Sequence, residues 1–401
     1  MNRNLKSAAG NQNAEPALTP KLRFPEFRDA GGWEMSRLGD LCDVLNNRRL
    51  PISGDKRTAG SYPYYGASGI VDFVNSFIFD ERLLLVGEDG AKWQAFEKTA
   101  FIAEGKYWVN NHAHVLRPTK INDTLLENYL TMIDIGPFVT GAAPPKLTLD
   151  NLKRIPVPVA PDPAEQQKIA ECLTTLDEVI AAQSQKLDAL KTHKKGLMQQ
   201  LFPREGETLP RLRFPEFQNA PEWDVRNLGK VAENLDNRRV PITSSERVAG
   251  DVPYYGASGV VDYVKGFIFD EDLLCVSEDG ANLVARSYPI AFPISGKTWV
   301  NNHAHVLRFK DACTQKFVEV YLNSIKLDDF ITGMAQPKLN KAMLDSIPIP
   351  YPDVIEQQRI ADYLTSLDDL ITAQSAKFDE LKSHKKGLMQ QLFPSPEEME
   401  A

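Results

Sequence analysis

Cysteine is scarce in this chain of 401 residues. The four cysteines, Cys42, Cys172, Cys275 and Cys313, lie far apart and form no C-x-x-C pair. Closely spaced cysteines are the usual signature of a zinc site or, in small secreted proteins, of a disulfide framework. The sequence therefore predicts free thiols buried in the core, and no metal site.

The chain also lacks long hydrophobic runs and an excess of positive charge. No stretch approaches the ~18 consecutive apolar residues of a membrane helix. Residues 1–19 are rich in Asn, Ala and Gln and contain no apolar core, which indicates a flexible leader and not a signal peptide. We therefore expect a cytoplasmic protein. The net charge of −8 argues against a non-specific nucleic-acid coat, although basic residues gathered on one face still allow specific binding.

The chain contains a second copy of most of its own sequence. The segment LRFPEF at 22–27 recurs at 212–217, and other segments recur in the same order. These pairs are NRR at 47–49 and 237–239, YYGASG at 64–69 and 254–259, FIFDE at 77–81 and 267–271, EDGA at 88–91 and 278–281, WVNNHAHVLR at 108–117 and 299–308, and KKGLMQQLFP at 194–203 and 385–394. A repeat of this length indicates duplicated domains and not a solenoid.

The first part of each copy has the pattern of a β-rich α/β domain. Short apolar runs such as 77–79, 83–86 and 108–109 alternate with Gly, Pro and Asn, which is typical of strands joined by turns. The segments IPVP at 155–158 and IPIP at 347–350 end these domains. Their prolines prevent helix formation, so the sequence predicts extended backbone there.

The second part of each copy has a heptad pattern. Apolar residues recur at alternating steps of four and three over about five heptads, with Gln183 and Lys194 as polar breaks, matched by Gln374 and Lys385. A solitary helix needs no such stripe, so we expect the two helices to pack on each other. The predicted helix-pairing residues are Leu173, Leu176, Ile180, Leu187, Leu190, Leu364, Leu367, Ile371, Phe378 and Leu381.

Three patterns could carry catalysis, and each has a plainer interpretation. Gly296-Lys297-Thr298 resembles a phosphate-binding loop, but Pro293 interrupts it and a strand-like run follows. The acids of EDGA at 88–91 suggest a magnesium site, but Asp-Gly between strands is typical of a tight turn.

The paired histidines, His112 with His114 and His303 with His305, alternate along a predicted strand and so point to one face. They could begin a zinc site, yet structural histidines are the favoured interpretation. We find neither a dinucleotide-binding glycine pattern nor the Asn-Pro-Pro-aromatic run of amino-methyltransferases. The sequence predicts no catalytic residue.

Nucleic-acid recognition has better support. Paired arginines beside an asparagine suit bidentate contacts to bases or phosphates, and the glycine-rich YYGASG segments allow close backbone approach. Surface salt bridges for the arginines and core packing for the tyrosines are the alternatives. The candidate DNA-binding residues are Asn47, Arg48, Arg49, Tyr64, Tyr65, Ser68, Lys92, Lys146, Asn237, Arg238, Arg239, Tyr254, Tyr255, Ser258, Gln336 and Lys338.

With these features, the sequence resembles the specificity subunits of type I restriction–modification systems, over residues 22–394. The most specific segments are QPKL at 336–339, IPIP at 347–350 and EQQRI at 356–360, with PPKL at 144–147 and EQQKI at 165–169 in the first copy. The first copy departs at Pro144, where the second has Gln336, which weakens a base contact at this position.

The resemblance implies an α+β fold in which two β-rich α/β target-recognition domains are separated by two long antiparallel coiled-coil helices, related by a pseudo-twofold axis. Each domain would read one half of a bipartite site in double-stranded DNA. Two modification subunits would bind the helices and bring S-adenosylmethionine, and restriction subunits would bring ATP and Mg²⁺ chemistry, so this chain itself needs no cofactor. The alternative is a coiled-coil adaptor that spaces two protein-binding domains.

The corresponding domain boundaries are a leader at 1–19, recognition domains at 20–160 and 206–352, spacer helices at 161–205 and 353–395, and a tail at 396–401. Because the two domains are so alike, we predict related half-sites in inverted orientation. Differences between the half-sites should arise in the divergent stretches, 92–104 against 282–295 and 53–61 against 243–251.

Overall fold

The computed structural model describes residues 18–204, 206–333 and 336–394. Two compact units divide the chain: unit 1 contains Met1–Ser184 and Ala376–Ala401, and unit 2 contains Gln185–Ser375. The predicted tail at 396–401 and most of the predicted leader lie outside the described residues. Leu18, however, forms an antiparallel bridge with Trp33, so the end of the predicted leader belongs to the fold.

Unit 1 is built from short strands and helices. Its strands are β1 (Glu34–Arg37), β2 (Cys42–Val44), β3 (Ala59–Gly66), β4 (Gly69–Val74), β5 (Phe79–Asp80), β6 (Leu83–Gly87), β7 (Ala100–Ala103), β8 (Lys106–Val109), β9 (Ala113–Pro118) and β10 (Pro156–Val159). Its helices are α1 (Leu38–Leu41), α2 (Asp123–Met132), α3 (Leu149–Arg154) and the first half of α4 (Pro163–Leu201).

These strands form two four-stranded sheets and one pair. One sheet has the order β2-β9-β6-β7 and is antiparallel throughout. The other has the order β4-β3-β8-β5, in which β3 and β8 run parallel. The strand that contains the IPVP segment, β10, pairs with β1, as expected for extended backbone.

The apolar run at 83–86 forms β6, a central strand with both faces covered. Leu84 and Val86 belong to the core cluster that includes α2, whereas Leu83 and Leu85 belong to a second cluster with Phe79 and Tyr107. Successive side chains of a strand point to opposite faces, so one short run supplies both cores. This explains why the run lacks polar alternation.

Unit 2 repeats this architecture with the same sheet orders. Its strands are β11 (Asp224–Asn227), β12 (Ala232–Asn234), β13 (Ala249–Gly256), β14 (Gly259–Val264), β15 (Phe269–Asp270), β16 (Leu273–Ser277), β17 (Ala291–Ile294), β18 (Lys297–Val300), β19 (Ala304–Phe309) and β20 (Pro348–Tyr351). Its helices are α5 (Leu228–Val231), α6 (Asn282–Ala285), α7 (Ala312–Ser324), α8 (Lys341–Ser346) and the first half of α9 (Val354–Leu392).

The two longest helices, α4 and α9, have 39 residues each and are about 58 Å long. Within unit 1, Ile169 of α4 shares a core cluster with Leu392 of α9. Asp177 of α4 forms an ion pair with Lys385 of α9. Residue numbers rise along one helix as they fall along the other, so these segments run antiparallel.

Unit 2 contains the equivalent arrangement. Leu201 shares a core cluster with Ile360 and Leu364, and Lys194 pairs with Asp368. The ten predicted helix-pairing residues are all buried or half-buried. The predicted fold class, two β-rich domains with two long antiparallel helices, is confirmed. None of the helices in the described ranges combines the length and the apolar composition that a membrane-spanning segment requires.

Candidate nucleic-acid interface

Four segments of unit 1 meet beside the end of β6. Glu88 donates its backbone N–H to His112 O (2.8 Å) and accepts at its own O from Leu147 N (2.8 Å). A guanidinium N–H of Arg49 donates to Asn111 O (3.3 Å). We call the set Asn46–Arg49, Glu88–Gly90, Asn110–His114 and Lys146 the loop cluster of unit 1. The loop cluster of unit 2 is the equivalent set, 236–239, 278–280, 301–305 and Lys338.

A buried glutamate holds each loop cluster together. In unit 1, Glu88 accepts from Arg49 Nη1 (2.5 Å) and from Lys146 Nζ (2.7 Å). Burial alone would raise the pKa of Glu88, but the bonds from Arg49 and Lys146 bring the pKa below its ordinary value. In unit 2, Glu278 accepts from Arg239 (2.6 Å) and Lys338 (3.2 Å). The carboxylate of Glu88 therefore stays ionised, and each glutamate fixes the loops of its unit through these contacts.

The two arginines of each NRR segment have different surroundings. The side chain of Arg49 is 14% exposed and forms its ion pair with Glu88 inside the loop cluster. Arg48 is 39% exposed, pairs with Glu81 (2.7 Å) and lies over the ring of Phe79. In unit 2, Arg238 pairs with Glu271 (3.0 Å) and lies over Phe269. Arg48 and Arg238 thus present a guanidinium of fixed orientation to solvent, whereas Arg49 and Arg239 stabilise the loops.

The structure corrects the prediction for the first tyrosine of each YYGASG segment. Tyr64 and Tyr254 are each 1% exposed. The hydroxyl of Tyr64 accepts from Ile52 N (3.0 Å), and that of Tyr254 accepts from Ile242 N (3.0 Å). Because alternate strand positions face the core, these tyrosines pack inside and cannot reach DNA.

The second tyrosines, Tyr65 and Tyr255, are half-buried. Tyr65 packs against Phe101 and Tyr107, and Tyr255 stacks on Phe292. Burial raises the pKa of both phenols. Packing accounts for most of each ring, so a DNA contact for these two residues stays a prediction.

The remaining candidates are exposed polar residues. Ser68 and Ser258 lie in the turns β3–β4 and β13–β14. A Cβ on Gly87 would come within 2.8 Å of Ala67 O, so the first turn packs against the end of β6, next to the loop cluster. Lys92 is 73% exposed and lies 3.5 Å from Glu97. The other exposed candidates are Asn47, Lys146, Asn237, Gln336 and Lys338.

The structure overturns the prediction that the paired histidines share one face. His114 lies in β9 and is 1% exposed, whereas His112 lies in the preceding turn with its side chain 51% exposed. His305 and His303 differ in the same way, at 1% and 52%. His112 and His303 were not among the predicted DNA-binding residues. Their recurrence in both copies of the repeat could have indicated them.

The buried histidine of unit 2 lies in a group that could suggest a metal site. Oxygen and nitrogen atoms of Asp236, Glu278 and His305 lie within 4.8 Å of one another. The guanidinium of Arg239 lies 2.6 Å from Glu278 and 3.4 Å from Asp236. A cation of the protein itself already occupies the space between these acids, so the group does not suit a metal ion.

The other chemical candidates are explained by the fold. β17 ends at Ile294 and β18 begins at Lys297, and the two strands belong to different sheets. Gly296-Lys297-Thr298 therefore leads into a strand and not a helix, and Thr298 is buried. This backbone cannot cradle a phosphate as a strand-to-helix loop does. The four cysteines are free, with Cys42 and Cys275 buried and the other two half-buried. Burial raises the pKa of Cys42 to about 12, which leaves its thiol protonated.

Comparison with known proteins matches the family model described as "Type I restriction modification DNA specificity domain" twice, at residues 30–192 and 221–383. The chain belongs to this family. Both copies of the internal repeat are therefore DNA specificity domains of the type I restriction–modification class.

Similar proteins are described as specificity subunits of type I restriction enzymes. A putative type I restriction enzyme specificity subunit of Haemophilus influenzae is 38% identical over 149 residues, which is 37% of this chain and 38% of that protein. The type I restriction enzyme MjaVIII specificity subunit of Methanocaldococcus jannaschii is 25% identical over 422 residues, with 93% of each chain covered.

Solved structures show the same fold. The S subunit of a type I restriction–modification system from M. genitalium has a TM-score of 0.63 at 15% identity, covering 94% of this chain and 100% of that one. A chain from a structural study of type I R-M complex assembly and conformational transition has a TM-score of 0.54 at 16% identity, covering 91% and 98%.

Proposed function

We propose that this chain is the DNA-sequence-recognition subunit of a type I restriction–modification complex, and that each unit reads one half of a bipartite site in double-stranded DNA. The observation that carries the proposal is the duplication: each unit has its own DNA specificity domain and its own exposed loop cluster. Two readers on one chain suit a target with two separate parts.

The loop clusters supply the groups that duplex recognition needs. Arg48 and Lys146 in unit 1, with Arg238 and Lys338 in unit 2, are exposed cations held in defined positions by carboxylates. Such cations position a protein on phosphates, and neighbouring amide and hydroxyl groups of Asn47 and Ser68 suit base edges. This arrangement explains how a chain of net charge −8 can bind DNA locally.

Helices α4 and α9 are the proposed binding surface for two modification subunits. Apolar side chains lie exposed on these helices, with Val179 44% exposed on α4 and Ile355 68% exposed on α9. S-adenosylmethionine, and the ATP and Mg²⁺ used by restriction subunits, are assigned to those partners. In this proposal the chain contributes recognition and no catalytic step.

Mapping of methylated adenines across the host genome tests the proposal. We expect one bipartite motif to lose methylation when the gene is deleted and to regain it when the gene is restored. Deletion of the gene for the modification partner should abolish the same motif. Methylation that is unchanged in the deletion strain would refute the proposal and favour the adaptor alternative.

A further inference from the structure

His112 and His303 are the exposed histidines of the two loop clusters. Their side chains are 51% and 52% exposed, although each lies two residues from a fully buried histidine. The same exposure in both units argues against an accidental surface residue. A half-exposed imidazole beside Lys146 or Lys338 is available to a ligand that covers the loop cluster.

The backbone holds each of these histidines in a fixed position. His112 donates its N–H to Asn110 Oδ1 (2.7 Å), and its carbonyl accepts from Glu88 N (2.8 Å). Asn110 is only 6% exposed, so its side chain is itself fixed by the core. In unit 2, His303 donates to Asn301 Oδ1 (2.8 Å) and accepts from Glu278 N (2.9 Å). Both rings are therefore oriented before a ligand arrives.

A carboxylate determines the tautomer of each exposed ring. Nδ1 of His112 lies 2.5 Å from Asp89 Oδ1, and Nδ1 of His303 lies 2.8 Å from Asp279 Oδ2. An ionised carboxylate only accepts hydrogen bonds, so Nδ1 carries the proton. In the neutral ring, the outward nitrogen Nε2 then has a free lone pair and acts as an acceptor.

We propose that His112 and His303 are specificity-determining residues whose Nε2 accepts a hydrogen bond from an exocyclic amino group of a base in the major groove. Phosphate oxygens offer no donor, whereas adenine N6 and cytosine N4 both donate there. This inference rests on the proposed function. It adds that each half-site contains an adenine or cytosine read by a histidine acceptor, with Asp89 and Asp279 as positioning residues.

Binding of the purified complex with its modification partner to synthetic duplexes tests the proposal. The duplexes are the target found by methylation mapping, the same target with each base pair changed in turn, and a random sequence. His112→Ala should weaken target binding roughly tenfold, as expected for one lost hydrogen bond to a base, with random-duplex affinity unchanged. His303→Ala should act in the other half-site.

A double-mutant cycle identifies the contacted base. At one base pair of the half-site, the base change and His112→Ala should not be additive, because both remove the same hydrogen bond. His112→Gln retains an acceptor and should lose less than His112→Ala. The control is Gln218→Ala, which removes an exposed polar side chain outside the loop clusters and outside α4 and α9 and should leave target binding unchanged.

Three results would overturn the inference. Equal losses on target and random duplexes would indicate a phosphate contact by a protonated ring. Additive effects at every base pair would show that no base is read by the histidine. A wild-type complex without preference for the mapped target would refute the proposed function itself. This result is measured on the wild type alone, whereas the first two results compare a histidine variant with the wild type.

Discussion

The buried histidines His114 and His305 occupy equivalent positions but have different partners. In both units Nε2 donates to a backbone carbonyl, Leu147 O at 2.8 Å and Leu339 O at 2.7 Å. Nδ1 of His114 faces the amide nitrogen of Asn46 (2.9 Å), which donates, because the amide oxygen accepts from Val115 N. His114 is therefore a neutral ring, and burial lowers its pKa.

In unit 2 the position of Asn46 is taken by Asp236. Its carboxylate lies 2.6 Å from Nδ1 of His305, so both nitrogens of His305 face acceptors, an arrangement that an imidazolium ring satisfies. Burial alone would raise the pKa of Asp236, but His305 lowers the pKa below its ordinary value. A second proton on His305 would balance the extra negative charge of Asp236, and the two loop clusters would then have the same net charge.

The protonation states can be read directly by nuclear magnetic resonance of chains labelled with ¹⁵N-histidine, because the protein has six histidines. At neutral pH we expect His305 to show imidazolium shifts and His114 to show the neutral Nε2–H tautomer. Asp236→Asn should convert His305 to the neutral form, since the amide then donates to Nδ1. Asn46→Asp should make the opposite change at His114. A neutral His305 in the wild type would contradict this account.

Part of the site could be predicted at the level of residues. The NRR and YYGASG segments were predicted because they occur in both copies. A segment can recur for core packing as well as for DNA binding, so recurrence alone does not separate the two roles. Only the fold shows that Tyr64 is buried and that Arg49 forms an ion pair with Glu88, since Glu88 follows a strand that is distant from Arg49 in the sequence. His112 and His114 look like one strand face in the sequence. The strand begins at Ala113 because Asn110 fixes His112 in a turn.

A buried ion pair fixes the start of α4. The guanidinium of Arg23 donates two bonds to Glu165, each of 2.7 Å, and the side chains are 6% and 1% exposed. The indole of Trp33 also donates to Glu165 (3.3 Å). The next residue, Gln166, donates to Ala160 O and accepts from Asn122 N. The EQQ signature is therefore an anchor that ties the helix to its domain.

Removal of this carboxylate should destabilise unit 1. Glu165→Gln leaves the buried Arg23 cation without its counter-charge, and breaking one partner of a buried pair costs about 3–5 kcal/mol. We expect differential scanning calorimetry to show a lower melting temperature for unit 1, and Glu356→Gln, which breaks the pair with Arg213, to lower that of unit 2. Glu178→Gln, at an exposed position of α4, is the control. Unchanged melting of both anchor variants would refute the role of the pair.

Elements were predicted more completely than their arrangement. The heptad stripe predicted α4 and α9, and the apolar runs predicted β6 and β8, because helix and strand periods are local properties. The parallel pairing of β3 with β8 was not predictable, since it joins segments separated by four other strands. The ion pairs at the polar breaks, Lys194 with Asp368 and Lys385 with Asp177, explain why lysine interrupts each stripe.

At the scale of the whole molecule, the two units differ most in the segment between the loop cluster and the next strand. This segment contains Phe96 in unit 1 and Arg286 in unit 2, each with a positive φ, 65° and 53°. The backbone bend is shared while the side chains differ: Arg286 donates to Leu322 O and Ile325 O, and Phe96 packs on the core of unit 1. The segment can therefore vary without loss of the fold.

Exchange of this segment should alter the DNA target. A chain with residues 282–295 in place of 92–104 should recognise a first half-site closer to the second, because the exchanged stretch borders the loop cluster. Methylation mapping in a host that carries the exchanged gene measures the motif. The exchange of 243–251 for 53–61 is the companion variant. A motif unchanged by both exchanges, in a chain that still supports methylation, would place the determinants of the difference elsewhere.

The core of unit 1 includes Met389, Leu392 and Phe393, and the ring of Phe393 packs against Trp33 and Tyr129. Unit 2, in contrast, is one continuous stretch of chain. During synthesis on the ribosome, the second unit can finish folding while the first still waits for these three side chains. We therefore expect the domain that emerges first to close last, with the apolar surface that Met389, Leu392 and Phe393 cover left open until residue 393 has been synthesised.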